Sequence, residues 1–272
     1  MRTPAERVAL AGTVLFVPGH RPHLFDKAAA AGADVVVLDL EDAVPPAAKN
    51  DARAAVAAWL AGGAVVAVRI NGSGSPWHAD DVAGLADWTG IVMVPKAEDP
   101  TLLAALAERL DRTALVALVE TARGVMGAPA VAATKGVARL AFGSVDLGAE
   151  LGVDPEDREA MAVARGALVL ASAGAGIAPP LDGVTQDLTD DVRLREDVTY
   201  ARRLGFTGKL CVHPRQVPVA AAALTPTSQE VAWARAVVAA AGDGGVVSLD
   251  GRMVDRPVVE RAQRILGTAV EQ

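Results

Sequence analysis

The sequence predicts an α/β fold, a (β/α)8 barrel followed by a C-terminal helical arm. Three observations carry the prediction. Short β-branched runs alternate eight times with Ala/Leu-rich stretches of helical period. Ionisable residues gather directly behind those runs. The length, 272 residues, suits one barrel of this kind, which takes about 250 residues. An open doubly wound sheet uses the same alternation, but eight units close naturally on themselves.

The β-branched runs are Thr13–Val17, Val35–Leu40, Val65–Ile70, Ile91–Val94, Leu115–Val119, Arg139–Phe142, Ile177–Leu181 and Lys209–Val212. Between them the helical stretches are Pro22–Ala31, Pro46–Leu60, Pro100–Leu110, Pro129–Ala133, Asp157–Ala173 and Thr189–Leu204. Most open on proline, which is favourable at a helix start because its missing N–H had no partner there. The barrel is expected over residues 1–215 and the arm over 216–272. In the arm, Ser228–Ala241 reads as a helix with Glu230 completing a capping box. Gly242-Asp243-Gly244-Gly245 reads as a break, Val246–Leu249 as a short strand, and a last helix is expected from about Arg256.

Composition narrows the function. The net charge is −7 and only 3% of residues are aromatic, so neither a basic footprint nor stacking platforms for nucleic acid are present. No apolar run reaches the 18 or so residues of a membrane span, and the first ten residues do not read as a signal peptide. The one cysteine, Cys211, cannot form an intrachain disulfide, and a reducing cytoplasm is the expected setting.

The polar residues behind the strands are the candidates for chemistry, since active sites of such barrels lie at the strands' C-terminal ends. Glu120 and Asp146 follow the fifth and sixth runs. Adjacent parallel strands lie about 4.8 Å apart, so two carboxylates at matching heights can share a cation. Magnesium suits such oxygens and keeps waters for a substrate to replace. The same pair also reads as loop acids, Asp146 capping a helix and Glu120 pairing with Arg123. Arg69 ends the third run and suits a carboxylate or keto acid, or an ion pair with Glu41. Of the adjacent acids Glu41 and Asp42, alternation points one inward, where it reaches metal-bound water. Arg21 and Lys27 offer two cations to a phosphate or form a solvated helix face. Lys96 is a Schiff-base candidate only if nearby acids do not keep it charged. Asp255 reads first as a helix N-cap.

Taken together, Leu15-Phe16-Val17-Pro18-Gly19-His20-Arg21-Pro22, Leu38-Asp39-Leu40-Glu41-Asp42-Ala43-Val44, Val68-Arg69-Ile70-Asn71, Val94-Pro95-Lys96, Glu120-Thr121-Ala122-Arg123-Gly124, Phe142-Gly143-Ser144-Val145-Asp146-Leu147 and Cys211-Val212-His213-Pro214-Arg215-Gln216 resemble the citrate lyase β-subunit-like family of the HpcH/HpaI aldolase superfamily. That family includes malyl-CoA and citramalyl-CoA lyases. The resemblance, over about residues 12–267, implies a TIM barrel in a homotrimer or hexamer, with Mg2+ held by Glu120 and Asp146. It implies that Arg69 grips the keto-acid carboxylate and that Phe16, Arg21 and Lys27 bind coenzyme A. Asp255 matches an aspartate acting as general acid/base across a subunit interface. The implied reaction makes or breaks a carbon–carbon bond of a carboxylated 3-hydroxyacyl-CoA, giving acyl-CoA and a 2-keto acid. The alternatives are a citrate lyase β-subunit, working on a thioester held by an acyl-carrier subunit, and a thioester hydrolase. Metal-dependent aldolases of free hydroxy-keto acids carry Glu-His after strand two, and Glu41-Asp42 departs from that pattern.

Overall fold

The computed structural model describes residues 2–63, 66–242, 246–249 and 251–270. Val65, Asp243 to Gly245 and Asp250 therefore lie outside the described residues. The chain divides into two compact units, with the boundary between Ala221 and Ala222.

The first unit is a closed barrel of eight parallel strands in sequential order. The strands are β1 Thr13–Pro18, β2 Val35–Asp39, β3 Ala67–Arg69, β4 Ile91–Val94, β5 Ala114–Val119, β6 Val137–Phe142, β7 Ala178–Asp182 and β8 Gly208–Cys211. Thr13 to Leu15 of β1 pair with Lys209 to Cys211 of β8, which closes the ring. Alternation turns Val14, Val35, Val37, Ile91, Met93, Val116, Leu118, Leu181 and Leu210 into the interior, where they form one core.

The N-terminal helix Pro4–Leu10 packs beneath this core, contributing Val8 to it. Arg139 of β6 fastens it there. The fully buried guanidinium donates to the carbonyls of Val8 (2.7 Å), Ala11 (2.6 Å) and Pro179 (2.6 Å) and to Thr207 Oγ1 (2.8 Å). Elsewhere, Asp182 at the end of β7 holds Lys209 of β8 at 3.0 Å and Arg165 of the helix Arg158–Ala175 at 2.9 Å. All three are buried, and each charge there has a partner.

The outer helices follow their caps. Asp157 and Asp190 cap Arg158–Ala175 and Asp191–Leu204. The stretches expected to start at Pro22 and Pro46 open as single 3-10 turns before Phe25–Ala29 and Lys49–Leu60. One expectation differs by most of a helix. Pro129 does not start its helix but sits inside Ala122–Ala132, because the Thr121 side chain accepts from Gly124 N and caps the chain earlier. The helices Pro4–Leu10 and His78–Gly84 were not among the expected stretches, and Asp146, a candidate helix cap, stands instead in the first turn of Ser144–Leu151.

In the second unit, Ser228–Ala241 starts with the Thr227–Glu230 capping box and packs on Arg256–Val270. Val247–Leu249 pairs antiparallel with Arg252–Val254. Ala234, Val237, Val254 and Ala262 are buried between these elements.

Candidate active site

The C-terminal ends of β2 to β6 bring most of the expected residues into one charged cluster. It is built on Asp39. This residue continues the inward face set by Val35 and Val37, and it is fully buried. The neighbouring strand places Arg69 in register with it. Arg69 Nε and Nη2 donate to the two Asp39 oxygens at 2.7 Å each. Asp39 also accepts the backbone N–H of Glu41 (2.9 Å) and of Ala43 (3.1 Å), which turns the loop after β2 inward. Glu41 then reaches Arg69 Nη1 at 2.9 Å. The Phe16 ring lies 5.1 Å from the Arg69 Cζ. Burial works against the Arg69 charge, but Asp39 and Glu41 outweigh it and hold the guanidinium protonated.

Glu41 is therefore the inward acid of the adjacent pair, and Asp42 is exposed. Burial raises the Glu41 carboxyl above the usual carboxylate range, with Arg69 opposing. Lys49 braces the same loop from the first turn of its helix. Its buried ammonium donates to Leu40 O (2.7 Å), Glu41 O (2.8 Å) and Asn71 Oδ1 (2.6 Å). Asn71 in turn donates to Asp81 through its backbone N–H and its amide.

Across the mouth, Glu120 follows β5 and is buried. Its Oε1 accepts the Lys96 backbone N–H at 2.8 Å. Lys96 adopts φ 48°, an uncommon conformation for a residue with a side chain, and this turn presents the N–H. Glu120 packs directly against Gly143, where a Cβ would overlap the Glu120 side chain. Burial, with the Asp146 charge adding to it, pushes the Glu120 carboxyl up to about 8, against the Lys96 hydrogen bond. Asp146 stands in the first turn of Ser144–Leu151, whose N-cap is Gly143. A buried carboxylate raised by a second carboxylate is a pair that a divalent cation would stabilise. No cluster of three or more His, Cys, Asp or Glu suited to a metal occurs among the described residues.

Lys96 is half-exposed, 3.6 Å from Glu41. Burial lowers its ammonium, but Glu41, Asp42, Glu120 and Asp146 outweigh this and keep it charged, which disfavours Schiff-base chemistry. Arg21 and Lys27 are exposed on the loop and helix after β1. Asp255 belongs to the second unit and caps Arg256–Val270, accepting from Val258 N at 3.3 Å. Cys211 is buried, and burial pushes its thiol up to about 12, so it is no nucleophile. No helix among the described residues is long and apolar enough to cross a membrane.

Sequence reasoning passed over Asp39 and Lys49. Asp39 left a signal, a carboxylate at an inward position of a barrel strand. Lys49 left none, because a lysine in the first turn of a helix ordinarily faces solvent.

Comparison with known proteins gives the family. The model of the HpcH/HpaI aldolase/citrate lyase family matches residues 12–214. A citrate lyase subunit beta-like protein of Mycobacterium tuberculosis is 39% identical over 265 residues, covering 94% of this chain and 95% of that protein. A (3S)-malyl-CoA thioesterase of Cereibacter sphaeroides is 31% identical over 268 residues, covering 94% of each. Among solved structures, CitE of M. tuberculosis in complex with magnesium, acetoacetate and coenzyme A superposes with a TM-score of 0.85 at 38% identity, covering 96% of this chain and 99% of that one. The chain belongs to the HpcH/HpaI aldolase/citrate lyase family, on its citrate lyase β-subunit-like branch.

Proposed function

We propose that this lyase-family enzyme is magnesium-dependent and cleaves or forms the carbon–carbon bond of a carboxylated 3-hydroxyacyl-CoA of the malyl-CoA or citramalyl-CoA type. The products of cleavage are an acyl-CoA and a 2-keto acid. The observation that carries the reading is Glu120, buried and pushed up to about 8 with Asp146 contributing, at the same mouth as a fixed Arg69. Glu120 and Asp146 would hold the magnesium, which supplies Lewis acidity toward the substrate's hydroxyl and carboxylate oxygens.

The chain's own residues do the rest. Arg69 spends its Nε–Nη2 edge on Asp39 and engages Glu41 through Nη1, so it meets the substrate carboxylate with the N–H groups that remain on Nη1 and Nη2. Glu41 stands where it can orient a water or a substrate hydroxyl. Phe16, Arg21 and Lys27, at and after β1, form the face for coenzyme A, with two exposed cations for its phosphates. Asp255, carried on the arm of a neighbouring copy in a trimer or hexamer, takes the hydroxyl proton in cleavage. In condensation the same carboxylate removes the α-proton of the thioester.

The thioesterase relative, 31% identical, keeps hydrolysis as a second reading. A third is a β-subunit acting on a thioester borne by an acyl-carrier protein. The test is a product assay on malyl-CoA, citramalyl-CoA and hydroxymethylglutaryl-CoA with Mg2+ and with EDTA. Acyl-CoA plus keto acid, lost in EDTA and reduced by 100-fold or more in Glu120→Gln (about 3 kcal/mol of transition-state stabilisation), is the expected result. Release of free coenzyme A moves the function to hydrolysis, and no turnover of a free thioester moves it to the carrier-bound one.

A further inference from the structure

The charged cluster at the mouth includes Arg69, Lys49 and Lys96, and the chemistry above uses only the first of these cations. Arg69 is tied to Asp39 and Glu41. Lys49 is buried and gives its protons to Leu40 O, Glu41 O and Asn71 Oδ1. Lys96 differs from both. Its ammonium makes no hydrogen bond among the described residues, and its ion pair with Glu41 spans 3.6 Å. The side chain is 52% exposed and borders a cavity that Glu41 and Asp42 also line, so a ligand can reach it.

The backbone at Lys96 is a second observation. Among the described residues it is the only one other than glycine at positive φ, 48°. Its backbone N–H serves Glu120, and that role needs no side chain. Glycine would present the same N–H without strain. A side chain carried on left-handed backbone is expected where the side chain has a task of its own. Here the ammonium stands within electrostatic reach of both acid pairs, Glu41 with Asp42 and Glu120 with Asp146. That places a mobile, accessible cation over the site of the reaction.

We infer that Lys96 is a catalytic residue, whose ammonium donates to the thioester oxygen of the substrate and holds the negative charge which that oxygen acquires. The inference rests on the proposed function, which commits the hydroxyl and carboxylate oxygens of the keto-acid half to the metal and Arg69. In cleavage the base takes the hydroxyl proton and the carbon–carbon bond breaks. The hydroxyl carbon becomes the keto carbon, and the electron pair of the broken bond passes to the thioester half as an enolate. The proton then returns to the α-carbon, giving the acyl-CoA. The thioester oxygen gains charge in this sequence and has no partner among the groups already assigned. Lys96 is the cation of the cluster with donors to spare. A donor fixed at such an oxygen acts more strongly on the charged transition state than on the neutral carbonyl.

The test compares wild type, Lys96→Met and Lys96→Arg. Methionine keeps an unbranched side chain and the N–H to Glu120, so magnesium binding by calorimetry reports that the site is intact. On malyl-CoA and citramalyl-CoA, Lys96→Met is expected to lower kcat by about 100-fold, as losing one oxyanion donor does. KM should change little, and Lys96→Arg should recover part of the rate. A binding readout uses two sulfur-free analogues of acetyl-CoA, one ending in a carboxylate that mimics the charged enolate and one in a neutral methyl ketone. Both are titrated with Mg2+ and with pyruvate present to occupy the keto-acid side. Wild type is expected to prefer the carboxylate, and Lys96→Met to reduce that preference by roughly tenfold or more. No preference in wild type, or the same preference in Lys96→Met, overturns the inference. So does a loss of kcat that comes with weakened binding of magnesium or pyruvate, which would mean that Lys96 acts through Glu120 or on the keto acid. An unchanged kcat in Lys96→Met reduces the residue to a counter-charge for Glu41 and overturns it as well. If wild type cleaves neither thioester, the proposed function has failed, and the analogue preference, which needs no turnover, decides the role of Lys96 separately.

Discussion

Glu120 owes its state to the backbone around it. Gly143 leaves the space it fills, the left-handed turn at Lys96 supplies a short hydrogen bond, and burial with Asp146 pushes it up to about 8. Two predictions follow at this scale. A carboxyl that is protonated at neutral pH must lose its proton to bind a cation. Magnesium affinity should therefore rise with pH up to about 8 and level off above it, as read by calorimetry at several pH values. An affinity flat from pH 6 to 9 would contradict the assignment of Glu120 as a ligand. Gly143→Ala forces a Cβ to within 2.7 Å of Glu120 Oε2, and such overpacking costs about 1–3 kcal/mol. Its expected signature is weakened magnesium binding and turnover in a folded protein. The acids at strand ends were legible in the sequence because charge abutting an apolar run marks the barrel's rim. Asp39 was not, because inside the run it looks like an interruption. Only the pairing of β2 with β3, which sets Asp39 against Arg69, reveals it as the group that aims the guanidinium.

At the scale of elements, the strands were readable and the helix starts were less so, for a physical reason. Ile91–Val94 was expected and found with the same bounds, and the other expected strand ends moved by at most two residues. β-branched runs bounded by polar residues constrain a strand from both sides. Helix starts depend on which of several caps wins. At Thr121 a side-chain cap prevailed over the N1 preference of Pro129, and the helix absorbs a proline that cannot donate within it. Thr121 also donates from Oγ1 to Glu98 at 2.9 Å, tying the loop after β5 to the one after β4. Thr121→Ala should cost about 1 kcal/mol for the cap, with a further loss from the Glu98 bond. Because the capped turn follows Glu120 directly, it should also lower kcat more than it raises KM. A drop in thermal midpoint with unchanged kcat would confine Thr121 to stability.

Over the whole barrel, stability and chemistry are drawn from different groups. The floor is closed by Arg139, which binds the N-terminal helix through carbonyls alone. The β7–β8 flank is held by Asp182 between Lys209 and Arg165. Neither belongs to the Glu41–Arg69–Glu120 cluster, so the loops of the mouth can vary without loosening the ring. The Asp182 triad gives the sharpest test. Burial raises its carboxyl, but Lys209 and Arg165 outweigh burial and hold it below the usual carboxylate range. A depressed folded value means that the unfolded chain, with an ordinary aspartate near about 3.9, binds its proton first as pH falls. The stabilisation from the ionised carboxylate is therefore complete well above about pH 4 and disappears as pH drops through the folded value. Asp182→Asn leaves two buried cations without their counter-charge, and breaking a buried pair costs about 3–5 kcal/mol. Denaturant titrations of both proteins should show a constant stability gap from about pH 5 to 8, narrowing below about pH 4 as the wild type loses the same charge. A gap independent of pH down to the acid transition would mean that the Asp182 charge does not set the stability of the ring.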